Sequence, residues 1–141
     1  MAETLKMDIA ALEAFLASDF AQVSGMFGID ALTDDLLTVR LHVNDTHLRP
    51  GGTVSGPAMF GLADVAMYLA VLARIGPVGL AVTTNCSIDF MRKPAAGVDL
   101  IAQARVLKLG RVLAVGDVLM FSDGGGAPVA RASLTYSIPQ H

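Results

Sequence analysis

From Asp8 to Phe20 the apolar residues Ile9, Leu12, Phe15, Leu16 and Phe20 recur at three- and four-residue spacing, with Asp8 placed to cap the first turn. This spacing predicts an amphipathic helix over 8–20 that packs but carries no chemistry. Gly25, Gly28 and the acidic stretch from Asp30 to Asp35 then read as turns. Beyond them Leu37, Val39, Leu41 and Val43 alternate with Thr38, Arg40 and His42, the pattern of a half-buried strand. At Pro50 the pattern changes. A glycine-containing loop runs into Met59, Phe60, Leu62, Val65, Ala66, Met67, Leu69, Val71 and Leu72, which cover nearly every face of a helix predicted over 57–74. A helix that is apolar all round is a buried one. Ser55 or Gly56 is placed to cap it, Pro57 suits its first turn, and Arg74 and the Gly76-Pro77 turn end it.

After Gly79 the period shortens and Val, Thr and Ile become frequent. Segments 80–91, 98–109, 112–121 and 129–138 are separated by Pro94–Gly97, Gly110 and Asp123–Gly126, and read as successive antiparallel strands joined by turns. The fold class is therefore α+β: one strand, one long central helix, and a meander that wraps it, in a single domain over 1–141. At 141 residues the chain can bury about two-thirds of the surface that its unfolded form exposes. A hydrophobic content of 53% with only 16% charged residues is high for a small monomer, so part of the apolar surface is expected to face another copy.

Charge and cysteine usage narrow the function. A net charge of −3 without a basic block excludes nucleic acid as a partner. The single cysteine, Cys86, fits a core residue in a reducing cytoplasm. No basic, then apolar, N-terminal stretch marks export, and the longest uncharged run contains glycines and stops at Asp64, so no membrane span is expected. His42, on the polar side of its strand, and His47, in the following loop, read as solvated. His141 is the last residue, no three ligands have zinc spacing, and no metal is expected.

Asp64 is the only charged side chain from Pro50 to Ala73. A carboxylate in apolar surroundings shifts its protonation, finds partners, or lines a wet cavity where it has a task. At the other end of the same helix the first-turn N–H groups have no internal partner, and Gly56 offers one with no side chain in the way. An N–H that meets a developing oxyanion and a carboxylate that activates water or attacks directly together suit hydrolysis of an activated acyl compound. The two residues are eight positions apart, roughly 12 Å along a helix. They can act on one carbonyl only if Gly56 of one subunit meets Asp64 of another.

The order of elements, Ser55-Gly56-Pro57, Leu62-Ala63-Asp64 and the segment from Cys86 to Pro94 resemble the hotdog-fold acyl-CoA thioesterases of the PaaI-like group, related to phenylacetate degradation, over roughly Gly28 to Ile138. In that family a His-Gly-Gly motif opens the central helix, its first Gly donates to the thioester carbonyl, and a carboxylate eight residues later is catalytic. Gly56 and Asp64 occupy those positions. Ser55 stands at the usual His, Pro57 at the second Gly, and Arg49 where relatives often carry an Asn. The resemblance implies hydrolysis of a small, medium or aromatic acyl-CoA without bound cofactor, coenzyme A being part of the substrate, by a homodimer or a homotetramer of paired dimers.

Further substrate-binding candidates are Ser55, Tyr68, one turn beyond Asp64, and Thr83, Thr84 and Asn85 on the next strand, among which the sequence does not choose. Arg92 and Lys93, with Arg49 and Arg111 behind them, are candidates for the phosphates of coenzyme A. Two other functions remain open. One is an acyl-CoA-binding module without turnover, suggested by the missing His and Asn. The other is a hotdog dehydratase or hydratase, which needs a His near the carboxylate.

Overall fold

The computed structural model describes residues 5–23 and 25–140, so His141 lies outside the described residues. Helix α1 spans Ile9–Asp19 and is capped by Asp8, whose side chain accepts the Ala11 N–H at 2.8 Å. Strands β1 (Phe27–Leu32) and β2 (Leu37–Leu41) form a hairpin, and helix α2 follows over Gly56–Ile75. Four strands complete the chain: β3 (Val82–Phe90), β4 (Leu100–Leu109), β5 (Leu113–Ser122) and β6 (Ala130–Ser137). All pair antiparallel in one sheet of order β1-β2-β4-β5-β6-β3. The sheet wraps one face around α2, as the hotdog resemblance implies.

Helix α2 begins at Ser55, whose hydroxyl accepts the Ala58 N–H at 3.2 Å, with Pro57 in the first turn where its missing N–H goes unneeded. It ends at Gly76, held at φ 94° with its N–H on the Leu72 carbonyl at 2.8 Å. Every residue from Val65 to Arg74 is buried. The guanidinium of Arg74 escapes the cost of that burial by donating to the Asp34 carbonyl. By length and hydropathy α2 could cross a membrane, but most of it is enclosed by the sheet as a core helix. The sheet meets it with small side chains, among them Ala102, Ala104, Ala114, Ala130 and Ala132, which let the helix lie close. Gly116 is the extreme case. A Cβ there would collide with Met67 Cε and come within 2.5 Å of the Arg105 carbonyl oxygen.

The structure corrects the expected strands in three places. The stretch around Gly28 and Asp30 is strand β1 and not part of a turn; the turn is confined to Thr33–Leu36, where the Thr33 hydroxyl accepts the N–H groups of Asp35 and Leu36. A bulge between Ile29 and Ala31 breaks the alternation, which is why the strand does not show in the pattern. Strand β2 also stops at Leu41, and the Val43 N–H goes to the Asp99 carboxylate at 3.0 Å. In addition, β3 does not pair with β4. It lies at the far edge against β6, and only β4, β5 and β6 form a meander. Segment 91–99 carries the chain across, anchored by the Met91 and Arg92 N–H groups on the Val129 carbonyl at 2.8 and 3.0 Å.

One charged cluster ties the hairpin to the rest of the sheet. Arg40 on β2 reaches Asp30 of β1 at 3.0 Å, Asp99 ahead of β4 at 3.2 Å and Asp123 beyond β5 at 2.7 Å. The Arg40 hydrogen bond holds the Asp123 carboxyl below its ordinary range. Partial burial works to raise Asp99, but the Val43 N–H and Arg40 outweigh it and lower that carboxyl too.

Two outcomes are expected. Gly116→Ala overpacks the helix–sheet contact and should lower unfolding stability by about 1–3 kcal/mol in a denaturant titration. Because the Asp99 and Asp123 carboxyls are depressed in the folded state, the stability they contribute is full above their ordinary value and is lost as pH falls through their folded values. The melting temperature should therefore fall more steeply below about pH 4 in the wild type than in Arg40→Met. The variant should already melt lower at neutral pH.

Candidate active site

Asp64 sits in the third turn of α2, half-buried, facing β3 and β6. Its Oδ1 accepts two hydroxyls: Thr83 Oγ1 donates at 2.5 Å and Tyr136 Oη at 2.6 Å. Tyr136 Oη also lies 2.8 Å from the Asp64 backbone carbonyl. Among the described residues no donor meets Oδ2 and no cation pairs with the carboxylate. A cleft of about 560 Å³ opens beside it, lined by Phe20, Val65, Tyr68, Val82, Thr83 and Tyr136 among others. The burial that protects this end of the helix, together with the charge of Asp64, pushes the Tyr136 hydroxyl far above its ordinary range, so it stays a donor.

The sheet brings the two hydroxyls together by register. Thr83 and Tyr136 are direct cross-strand partners and so point to the same face. Immediately afterwards the register shifts, and Asn85, not Thr84, pairs with Thr135. This bulge resets the alternation, so that Cys86, Ile88 and Phe90, opposite Leu134, Ala132 and Ala130, share the inner face with Thr83. Of the three neighbouring candidates, the structure therefore turns Thr83 to Asp64 and leaves Thr84 and Asn85 exposed on the other side. The Thr84 hydroxyl ends on the Thr135 carbonyl at 3.3 Å.

Gly56 lies at the opposite end of β3. The Phe90 ring covers it, 3.4 Å from where a Cβ would stand, and a second hollow of about 380 Å³ is lined there by Arg49, Gly56, Phe90, Met91, Arg92 and Lys93 among others. Arg92 is partly committed, donating to the Pro128 carbonyl at 2.7 Å. Arg49 and Lys93 are exposed. Ser55 spends its hydroxyl on the cap of α2. Gly56 and Asp64 thus belong to separate hollows of one chain, at either end of the edge strand.

Tyr68 lines the Asp64 cleft, but its hydroxyl donates to the Gly79 carbonyl at 3.0 Å, and its ring meets Phe20 edge-on at 6.0 Å and Tyr136 at 6.1 Å. Burial, and then Asp64 nearby, raise the Cys86 thiol, which keeps it protonated and inert. His47 is buried, not solvated as its loop position suggested. Its Nδ1 accepts the Asn44 N–H at 3.0 Å, its carbonyl accepts the Ser55 N–H at 2.8 Å, and it braces the loop that leads to Gly56. Among the described residues no group of three His, Cys, Asp or Glu side chains could hold a metal ion. Tyr136 is the site residue that sequence patterning missed. Its only signal was a polar tip on the inward side of a strand otherwise alternating Ala, Ala and Leu.

Residues 51–129, more than half of the chain and including Gly56, Asp64 and Thr83, match the Thioesterase superfamily. The chain belongs to that superfamily. Among solved structures this superfamily member is similar to a provisionally named thioesterase of Silicibacter sp. TM1040, with 58% identity, 99% of this chain and 97% of the other covered, and a TM-score of 0.92. It is also similar to the phenylacetic acid degradation protein PaaI of Thermus thermophilus, solved as a point mutant, at 28% identity over 84% of this chain and 99% of that one, with a TM-score of 0.72. A provisionally named esterase of Deinococcus radiodurans is 37% identical over 98 residues, 70% of this chain and 64% of that relative's length.

Proposed function

We propose that this chain hydrolyses acyl-CoA thioesters to a free acid and coenzyme A, at a site completed by a second copy of itself. Superfamily membership supports thioester hydrolysis as the reaction class. The observation that carries the two-chain reading is the position of Asp64 and Gly56 at opposite ends of one unpaired edge strand. When two copies of β3 pair antiparallel about a two-fold axis, the Phe90 end of one strand lies beside the Val82 end of the other. The Gly56 N–H of one subunit then approaches Asp64 of its partner. The exposed apolar side chains that would be covered lie along this edge: Leu80 at 80%, Val82 at 56% and Phe90 at 53% exposure. Leu113 and Leu119, exposed on the outer face of the sheet, offer a second surface for dimers to pair into tetramers.

In the reaction so assembled, the Gly56 N–H polarises the thioester carbonyl and the free Oδ2 of Asp64 acts on the carbonyl carbon. As general base it takes a proton from water while the water oxygen bonds to carbon. The tetrahedral intermediate then expels the sulfur, which leaves with a proton as the thiol of coenzyme A. Direct attack by Oδ2 gives a mixed anhydride that water hydrolyses to the same products. Exposed Arg49 and Lys93, with Arg92, suit the phosphates of coenzyme A, and the rings of Phe20, Tyr68 and Tyr136 suit a flat or aromatic acyl group. No bound cofactor enters either route, and the cytoplasm, where acyl-CoA esters are made and used, is the compartment this function implies. Neither His42 nor His47 lines the Asp64 cleft, which disfavours a hydratase.

Free-thiol release from acetyl-, hexanoyl-, phenylacetyl- and hydroxybenzoyl-CoA tests the reaction. Asp64→Asn keeps the shape and removes the charge, and should lower kcat at least about 100-fold. Equal turnover in both proteins would make Asp64 structural, and calorimetric binding with no turnover would make the protein a binding module. The shared site has its own test. Gly56→Pro combined with Pro57→Ala moves the proline to the first helical position, which tolerates it, and deletes the N–H in question. Co-refolding this inactive variant with Asp64→Asn should restore about a quarter of wild-type activity, since half of the dimers are mixed and each holds one intact site. A mixture that stays inactive would overturn the shared site.

A further inference from the structure

We propose that Tyr136 is a positioning residue for Asp64: together with Thr83 it pins one carboxylate oxygen so that the other alone faces the thioester. This rests on the hydrolytic reading above and adds to it a residue beyond the superfamily match at 51–129. The terminal torsion of an aspartate is soft, and a lone carboxylate on a helix flank rotates and exchanges its two oxygens. Here two O–H donors from adjacent strands converge on the same atom, Oδ1, at 2.5 and 2.6 Å, the range of charge-assisted hydrogen bonds. Each strand contributes one, so the plane of the carboxylate is set by the sheet and not by the helix that carries it. Oδ2 is left without a donor among the described residues, and Asp64 lines the cleft.

A purely structural role for the Tyr136 hydroxyl would be met elsewhere. The backbone carbonyl of Asp64, at 2.8 Å, is enough to satisfy one buried O–H. The adjoining tyrosine shows that alternative: the Tyr68 hydroxyl ends on a backbone carbonyl, that of Gly79. The two rings lie 6.1 Å apart, yet only Tyr136 reaches the carboxylate.

The bond can be read without turnover. The hydroxyl proton of a buried tyrosine held by a carboxylate exchanges slowly and resonates downfield in proton NMR, and Tyr136 is buried. The wild type should show this resonance, Tyr136→Phe should lose it, Tyr68→Phe should keep it, and Asp64→Asn should move it upfield. The comparison of wild type with Asp64→Asn needs no change at Tyr136 and holds even if Tyr136→Phe folds poorly. In kinetics, Tyr136→Phe should lower kcat about 10- to 100-fold with KM changed less than about twofold, because the lost contact orients a reacting group and does not bind substrate. Thr83→Val should act in the same direction and Thr83→Ser should restore the rate. A resonance unmoved in Asp64→Asn, or a Tyr136→Phe protein with wild-type kcat, overturns the proposal. The expected spectra in a wild-type protein that releases no thiol would support the hold on Asp64 and overturn the hydrolytic function instead.

Discussion

A helix that is apolar on nearly every side can be kept from water only by a surface that curves around it, and most of this structure is that surface. Strands β2 to β6 of the sheet enclose α2, with Ala and Gly on the inner face so that backbone and helix approach closely. The enclosure is incomplete at one flank, where β3 ends the sheet. Asp64 occupies that flank, where a carboxylate can be both half-buried and next to a cleft. Had it fallen one residue later, at Val65, it would have entered a run of ten consecutive buried positions, Val65 to Arg74, with a far larger desolvation cost.

Charge near the site is arranged by separation. The carboxylate and its two hydroxyls occupy one end of the edge strand, while Arg49, Arg92 and Lys93 gather at the other. No cation neutralises Asp64 within the described chain. Its stabilisation comes from neutral O–H donors, which lower the energy of the anion without forming an ion pair that would block its free oxygen. The same anion suppresses its neighbours: it helps to keep both Cys86 and Tyr136 protonated, so neither competes as a nucleophile. Ser55 is withdrawn from chemistry as well, since its hydroxyl completes the helix cap.

Much of this was legible from residue order. The period and composition of α2, its cap, its glycine stop, and the isolation of Asp64 are local features, and local features survive in a sequence. The order of strands was not, because β3 reaches its place beside β6 through pairing between residues some fifty positions apart, such as Thr83 with Tyr136. Strand β1 was hidden by a bulge at Asp30, whose acid serves Arg40 across the sheet. Tyr136 was missed for the related reason that its task depends on a partner in α2. His47 looked solvated because its burial is decided by the loop that folds over it, not by its own neighbours.

The register shift after Thr83 also means that strand length here is a chemical parameter. In most edge strands, losing one residue trims a hydrogen bond or two and leaves the faces to be re-sorted by the core. Here Ile88 is packed inward against the core, so loss of Thr84 removes only the bulge and leaves Thr83 facing Asp64, whereas loss of Ser87 with the bulge kept would rotate what precedes it and turn the Thr83 hydroxyl to solvent. The pairing with β6 and the enclosure of α2 could persist almost untouched while Asp64 lost one of the two groups that hold it. Insertions and deletions in this strand therefore act on the site as point substitutions act elsewhere, through the direction in which a single hydroxyl points.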